Sequence, residues 1–173
     1  MKKLILILVA FGVANIQAME TKYGIGYSNK DLSDNEESID YDNIELSYHV
    51  SFDNNFAAEF SFSTGVKDTT FVNEGGPAEW GGGNSYFLKG IYNINDTFYV
   101  SAIYADTKID VEESNTGLNI SISDEDFGFG LGANYQIPNS ENIIRIGFES
   151  YDFDISASNT TVSVDKLTLT YLF

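Results

Sequence analysis

Apolar side chains recur at every second position along most of this chain, and a period of two is typical of β-strands. The second such segment is a clear example, in which the apolar positions are Ile44, Leu46, Tyr48 and Val50. Eight segments share the pattern: residues 23–27, 44–50, 56–62, 86–92, 97–105, 127–135, 144–148 and 167–173. No segment after residue 18 holds a convincing helical period. The sequence therefore predicts an all-β fold with eight strands.

The two faces of the predicted strands differ in chemistry, with large apolar residues on one face only. The other face is small, polar or charged: Gly24, Gly26, Glu45, Ser47, Glu59, Ser61, Gly128, Gly130, Gly132, Arg145 and Glu149. In segment 97–105, which is apolar on both faces, we assign Phe98, Val100, Ala102 and Tyr104 outward. The polar face cannot form a dry core, because buried charges without partners destabilise the fold. We therefore expect it to line the lumen of a closed barrel whose apolar face contacts lipid.

The connectors between the predicted strands alternate between short and long. The short connectors are residues 53–55, 93–96 and 138–142, and the long ones are 29–43, 67–83, 106–125 and 152–160. Tight turns at one end and long loops at the other are typical of bacterial outer-membrane barrels. The sequence thus predicts an eight-stranded antiparallel up-and-down transmembrane β-barrel, with both chain ends on the periplasmic side. Tyrosines near the strand ends, Tyr48, Tyr92, Tyr135 and Tyr171, then belong to an interfacial aromatic belt.

The composition excludes several classes of function. Without cysteine, the chain has no disulfide, no thiolate nucleophile and no iron–sulfur cluster. Nine basic residues against 26 acidic ones give a net charge of −17. This charge argues against a nucleic-acid partner, because binding to phosphates requires Lys and Arg.

The first 18 residues have the organisation of a secretory signal peptide. Lys2 and Lys3 precede an apolar run over residues 4–13, and Ala18 provides a small residue for cleavage. The apolar run is shorter than the roughly 20 residues of a spanning helix. We expect residues 1–18 to be removed after export and residues 19–173 to form the outer-membrane barrel domain.

The short turn around Asn54 fixes a register between the second and third strands. If the turn centres on Asn54, Tyr48 lies opposite Phe60 on the lipid face and His49 lies opposite Glu59 in the lumen. A shift by one residue would place Glu59 in lipid, which is energetically excluded. We therefore expect Glu59 to accept a structural contact from His49.

Two segments carry a resemblance to a known family. The closing residues 167–173 (LTLTYLF) and residues 144–149 (IRIGFE), followed by Tyr151 and Asp152, resemble the small OmpA-like, opacity-type outer-membrane β-barrel family. The resemblance covers essentially all of residues 19–173. It implies that the outer-membrane barrel assembly machinery recognises the alternating terminal residues Leu169, Tyr171 and Phe173.

The resemblance also implies how the lumen is closed. Barrels of this type seal their interior with pairs of carboxylates and Lys or Arg side chains. The residues of matching kind here are Glu45, Lys89, Arg145 and Glu149, and His49 faces the same lumen. Glu59 adds a further carboxylate, so we expect an acid-rich polar network.

The candidate catalytic features are weak. His49 is the single histidine, and a barrel enzyme acting on lipid A or peptides would need it beside Ser or Asp, generally toward the outer rim. Its place near the periplasmic turn favours a hydrogen-bonded lumen residue. The glycines over residues 128–132 keep the strand period, whereas a phosphate loop opens a helix. We predict no catalytic residue, no cofactor and no metal site.

The long connectors are acidic. Their carboxylates include Asp31, Asp34, Glu36, Glu37, Asp40, Asp42, Asp106, Asp110, Glu112, Glu113, Asp124, Glu125 and Asp126. Their carboxylates do not have the spacing of an EF-hand calcium loop. Two interpretations remain: the loops associate loosely with divalent cations, or they are simply solvated. Trp80 lies in the glycine-rich stretch 75–83, where it either contacts a partner or packs on the barrel rim.

These features predict a non-enzymatic outer-membrane barrel of a Gram-negative bacterium. We expect a structural or surface-interaction, adhesion-like role through the acidic extracellular loops. The alternative is a narrow, cation-preferring porin, which acidic mouths favour and the small barrel disfavours. The expected partners are outer-membrane lipid and lipopolysaccharide, the barrel assembly machinery and an unidentified surface ligand.

Overall fold

A computed structural model of the protein describes residues 20–33, 38–52, 55–67, 69–73, 76–113, 118–155 and 160–173. The predicted signal peptide, residues 1–18, lies outside the described residues. The described part contains no helix that is long and apolar enough to cross a membrane. Its strands are β1 (Glu20–Ser33), β2 (Ser38–Ser51), β3 (Phe56–Lys67), β4 (Thr69–Asn73), β5 (Gly76–Gly82), β6 (Ser85–Asn93), β7 (Phe98–Glu113), β8 (Leu118–Gln136), β9 (Ile143–Ile155) and β10 (Thr160–Leu172).

Eight of these strands close an antiparallel barrel. Each barrel strand pairs with its neighbours in chain order, from β1 through β2, β3, β6, β7, β8, β9 and β10. β10 then pairs with β1, which removes the free edge. Backbone bonds between Tyr23 and Phe173, both 2.9 Å long, complete this seam. The predicted eight-stranded up-and-down barrel is therefore confirmed.

The structure corrects the predicted long loops, which are largely strand. β1 continues to Ser33, and β7 and β8 stay paired as far as Glu113 and Leu118. The predicted 67–83 loop contains the hairpin of β4 and β5, and β5 pairs with β7. The physical reason is that period two continues among the acidic residues, with inward apolar positions such as Ile109 and Phe153.

These extensions form two sheets beyond the closed part of the barrel. The β8–β9 ladder ends at Gly128 and Tyr151, and the β2–β3 register shifts between Asp42 and Asn43. Beyond these points, β4, β5, β7 and β8 form one sheet, and β2, β1, β10 and β9 form the other. We call this part the head; it comprises β4, β5 and residues 29–33, 38–42, 106–113, 118–126, 152–155 and 160–165.

An apolar core fills the barrel at its junction with the head. This apolar layer consists of Leu32, Tyr41, Phe87, Ile103, Ala105, Ile109, Tyr151, Phe153, Val162 and Val164. None of the polar-face residues singled out from the sequence belongs to this layer, which other inward residues build. Seven of its ten residues lie outside the predicted strand segments, and they form one cluster with Phe87 and Ile103 from the barrel wall.

The outer face of the barrel is a continuous apolar band. Large side chains lie exposed there, including Tyr23 at 61% and Phe129 at 63%. In β7, Phe98 is 55% exposed whereas Tyr99 is 5% exposed, which confirms the predicted facing of residues 97–105. Val50 keeps its predicted register on this face but is 9% exposed. Toward the head the band ends abruptly, because carboxylates replace the apolar residues at the next outward positions: Asp42, Asp106, Glu125 and Asp165.

Candidate functional site

The lumen contains a layer of buried charge on the short-turn side of the apolar layer. Its residues point inward from β2, β3, β6, β9 and β10, because each occupies the lumen position of the strand period. All are at most 5% exposed. We call this set the charged layer: Glu45, His49, Glu59, Lys89, Arg145, Glu149 and Lys166. The structure thus places the six polar lumen residues singled out from the sequence in one cluster and adds Lys166.

Lys89 lies at the centre of the charged layer. Its Nζ is 2.6 Å from Glu149 Oε1, 3.2 Å from Glu59 Oε1 and 3.4 Å from Glu45 Oε1. Because charge-assisted contacts of this kind are stronger than neutral ones, one ammonium connects three strands across the lumen. The arrangement closes the barrel interior with side chains.

Lys166 is a second connecting cation, and the sequence reading missed it. Its Nζ lies 2.6 Å from Glu45 Oε2 and 3.1 Å from Glu149 Oε2. With this residue, three cations meet three carboxylates, so the expectation of an acid-rich network is wrong. The alternation of the strand could have identified it: Leu172, Thr170 and Thr168 point into the lumen, and position 166 is the next residue on that face. It was missed because it lies just before the predicted strand begins.

Glu59 connects Arg145 and His49. Arg145 Nη1 donates to Glu59 Oε2 at 2.5 Å, and its Nε donates to Asn134 Oδ1 at 2.9 Å. His49 Nδ1 lies 3.4 Å from Glu59 Oε2. The register places His49 opposite Glu59 and Tyr48 opposite Phe60, so the predicted pairing of the second and third strands is confirmed.

The surroundings of His49 include the residue types of a hydrolytic triad. Ser51 Oγ lies 3.3 Å from His49 Nε2, and a Glu59 carboxylate oxygen lies near the other ring nitrogen, Nδ1. A triad acid serves to stabilise the imidazolium ion, but Glu59 is already neutralised by Arg145 and Lys89. The geometry therefore favours a structural role for His49. In the described residues, no group of three or more His, Asp or Glu side chains has the placement needed to hold a metal ion.

The other features singled out from the sequence lie elsewhere. Leu169, Tyr171 and Phe173 point outward, and the rings of Tyr171 and Phe173 stack with centroids 5.7 Å apart. The glycines of β8 face the lumen, where a Cβ at Gly132 would collide with the Tyr99 ring. Trp80 lies in β5, but its side chain falls outside the described part. Asp34, Glu36 and Glu37 also fall outside it.

The comparison with protein families gives one match over nearly the whole chain. The family described as "Outer membrane protein beta-barrel domain" matches residues 4–173. No individual protein of curated function matches the sequence.

Several solved structures share the fold at low identity. Ail of Yersinia pestis, in complex with the heparin analogue sucrose octasulfate, is 16% identical with a TM-score of 0.60, over 91% of this chain and 100% of that one. Neisserial surface protein A is 13% identical with a TM-score of 0.64, over 90% and 98%. The N-terminal β-barrel domain of Pseudomonas aeruginosa OprF is 12% identical with a TM-score of 0.54, over 90% and 100%.

Proposed function

Because the chain belongs to the outer membrane protein β-barrel family, we propose that it is a non-enzymatic surface-interaction protein whose acidic head binds an external partner. The protein resides in the outer membrane of a Gram-negative bacterium, and its apolar band contacts membrane lipid. In this membrane the head is extracellular, since long connections face outward and short turns face the periplasm.

The observation that carries the proposal is the separation of charge between inside and outside. Of the nine Lys and Arg residues in the chain, the described part buries five: Lys22, Lys30, Lys89, Arg145 and Lys166. The described residues bury only three of the 26 carboxylates: Glu45, Glu59 and Glu149. Outside, Lys108 is already paired with Asp110 at 3.1 Å. The head therefore presents a negative surface, which favours a partner with a basic surface.

Like charges lie side by side on the outside of the head. Asp31 pairs in register with Asp40 on one side and with Asp165 on the other. On the opposite sheet, Asp106 lies opposite Glu125. Directly opposed like charges destabilise a sheet, so these rows do not serve the fold. Such rows suit recognition of a cationic ligand.

The same charge distribution argues against a polyanionic ligand. Ail was solved with a heparin analogue, but the shared fold at 16% identity does not transfer that ligand to this chain. A sulfated ligand would meet carboxylates on this head. We therefore expect the barrel to be retained by polylysine and not by heparin.

A binding assay with purified protein tests the proposal. The barrel in lipid nanodiscs should bind immobilised polylysine, and binding should weaken as salt rises. Asp31→Asn with Asp165→Asn should weaken binding severalfold. The matched control neutralises two exposed carboxylates in the short turns, Asp96→Asn with Glu141→Gln, and should bind like the unmodified protein. Retention on heparin, or equal loss in both variants, would contradict the proposal.

A narrow, cation-preferring channel is the second candidate function. Acidic extracellular residues favour it, but the charged layer and the apolar layer both lie across the lumen. Planar-bilayer recordings of the purified barrel should show no conductance steps. Reproducible cation-selective steps that vanish when the protein is omitted would support the channel instead.

The proposed lack of enzymatic activity is tested at Ser51. A fluorophosphonate probe reacts with a serine that a neighbouring histidine activates. We expect no labelling of the native barrel and no difference between the unmodified protein and His49→Ala. Labelling that requires both Ser51 and His49 would establish a hydrolytic site.

Residues 1–18 are proposed to be an export signal. Their basic start, apolar run and terminal Ala18 support this assignment. Sequencing the N-terminus of protein isolated from outer membranes should give Met19 as the first residue. A retained Met1 would exclude cleavage.

The closing residues Leu169, Tyr171 and Phe173 are proposed to form the signal for the assembly machinery. Phe173 also donates to and accepts from Tyr23 through its backbone at 2.9 Å, so deletion removes two bonds at the seam. Phe173→Ala keeps those bonds and loses the ring alone. If the ring is the signal, both changes should lower outer-membrane levels; normal levels of Phe173→Ala would contradict the assignment.

A further inference from the structure

Lys30 is a buried cation without a carboxylate partner. Its side chain is fully buried on the inward face of β1, and its Nζ lies 3.4 Å from Ser63 Oγ and 3.3 Å from Ser85 Oγ. In these long, weak hydrogen bonds the ammonium donates to the two serine hydroxyls. Within the described part, no Asp or Glu oxygen lies within 4.0 Å of this ammonium, whereas Lys89 and Lys166 each contact at least two carboxylates.

The charged layer offers Lys30 no spare negative charge. Lys89, Arg145 and Lys166 already balance the three carboxylates of the layer. The remaining buried lysine, Lys22, has its own partner, because its Nζ lies 2.6 Å from Glu20 Oε1. When protonated, Lys30 therefore adds one positive charge without a contacting carboxylate to the closed interior.

Aromatic rings around Lys30 offset only part of the free-energy cost of burying its charge. Its Nζ lies 5.0 Å from the ring centroid of Phe87 and 5.6 Å from that of Tyr41. A ring face attracts a cation weakly and cannot replace a counter-charge. Lys166 Nζ also lies over the Phe87 ring, 3.8 Å from its centroid, so this ring already contacts a second cation.

Polar atoms beside Lys30 are buried without a partner. Ser28 Oγ, Tyr41 OH and Asn43 Oδ1 have no hydrogen-bond partner, although the three residues are at most 2% exposed. Register places Tyr41 beside Lys30 and Asn43 beside Ser28, so the four residues share adjacent lumen positions. Buried polar atoms of folded proteins almost always have a partner, so a water molecule or an ion is expected beside the two hydroxyls, which can donate to it. The Asn43 amide oxygen only accepts and gives no support to an anion. Orphan hydroxyls occur elsewhere in the lumen, but this group also contains a lysine without a carboxylate partner.

We propose that Lys30 binds a small monovalent anion, a halide such as chloride, within the lumen. The ammonium supplies the charge, and the rotatable hydroxyls of Ser63 and Ser85 supply further donors. Ser28 and Tyr41 occupy neighbouring lumen positions and bring additional hydroxyl groups. The site lies where the charged layer meets the apolar layer, which restricts it to a small ion that enters during folding or by slow opening of the head.

Bromide provides the direct test in the unmodified protein. Crystals of the full barrel grown in bromide should show an anomalous peak next to Lys30 Nζ and near the Ser63 and Ser85 hydroxyls. In solution, urea unfolding is followed at constant ionic strength while gluconate is replaced by bromide. At bromide concentrations well above the dissociation constant, a tenfold rise in bromide should lower the equilibrium constant for unfolding about tenfold, as expected for one bound ion per barrel.

Substitutions then locate the effect. Lys30→Met keeps the length of the side chain and removes its charge, so the bromide dependence of unfolding should disappear. Lys108→Met removes an exposed lysine of the head and should keep the full dependence. Absence of both the peak and the dependence in the unmodified protein would overturn the proposal, and so would a dependence that survives Lys30→Met. If Lys30→Met does not fold, the anomalous peak in the unmodified protein decides alone.

Discussion

Replacing Lys89 by Met tests whether the charged layer stabilises the barrel. The methionine side chain has a similar length and volume, so the substitution removes the charge with little loss of packing. Three carboxylates then lose a contact of 2.6–3.4 Å. The variant therefore isolates the electrostatic role of one buried residue.

The expected loss of unfolding free energy depends on the cation contacts that each carboxylate retains. Glu59 retains Arg145 at 2.5 Å, and Glu149 and Glu45 both retain Lys166. Breaking a buried ion pair typically costs 3–5 kcal/mol, because it leaves a buried charge uncompensated. Since every carboxylate here keeps another cation, we expect the lower part of that range, about 3 kcal/mol.

Urea unfolding of the barrel in phospholipid vesicles, monitored by circular dichroism, measures this loss. The matched control is Lys108→Met, because its pair with Asp110 is about 40% exposed on both sides and should contribute less than about 1 kcal/mol. A double variant, Lys89→Met with Glu149→Gln, should lose less than the sum of the single losses. If Lys89→Met costs no more than the control, the lumen is hydrated and the charges do not close it.

Three further predictions concern the head. Phe153→Ala removes a fully buried side chain from the apolar layer and should cost about 3–5 kcal/mol, so protease should cut the head while the barrel stays protected. Asp106→Cys with Glu125→Cys should form a disulfide on oxidation, because the two positions are register partners; a gel with and without reductant detects it. The Ser121 hydroxyl donates to Asp110 and holds the pKa of that carboxyl below its ordinary value. This contribution to stability is present above the ordinary pKa and is lost as pH falls through the lowered one, so Ser121→Ala should remove it and raise the pKa in a carboxyl NMR titration.

The eight strands and their facing were predictable because period two is a local property of the sequence. The alternation in residues 44–50 sets the lumen and lipid faces without knowledge of the neighbours. The register of β2 and β3 followed from a single short turn, since any odd shift would place Glu59 in lipid. The facing of segment 97–105, which is apolar on both sides, was also predicted correctly. The sequence did not show that its inward residues Ile103 and Ala105 belong to the apolar layer.

The interior was less predictable because its layers depend on where the strands end. Lys166 and Lys30 lie just outside the predicted strands, so their inward positions went unnoticed although they continue the parity of Thr168 and of Gly26. The head was read as loops because its residues are acidic. Its inward apolar positions, such as Ile109, pair across sheets that only the folded chain brings together.

The central claim is that the apolar face meets lipid while the charged face is enclosed, and fluorescence quenching tests it most directly. With Trp80→Phe as background, a single tryptophan is placed at Phe129 on the outer band or at Phe87 in the lumen. In vesicles of brominated phospholipid, Phe129→Trp should be strongly quenched and Phe87→Trp should keep its intensity. Equal quenching of both, or quenching of the Phe87 position alone, would contradict the account.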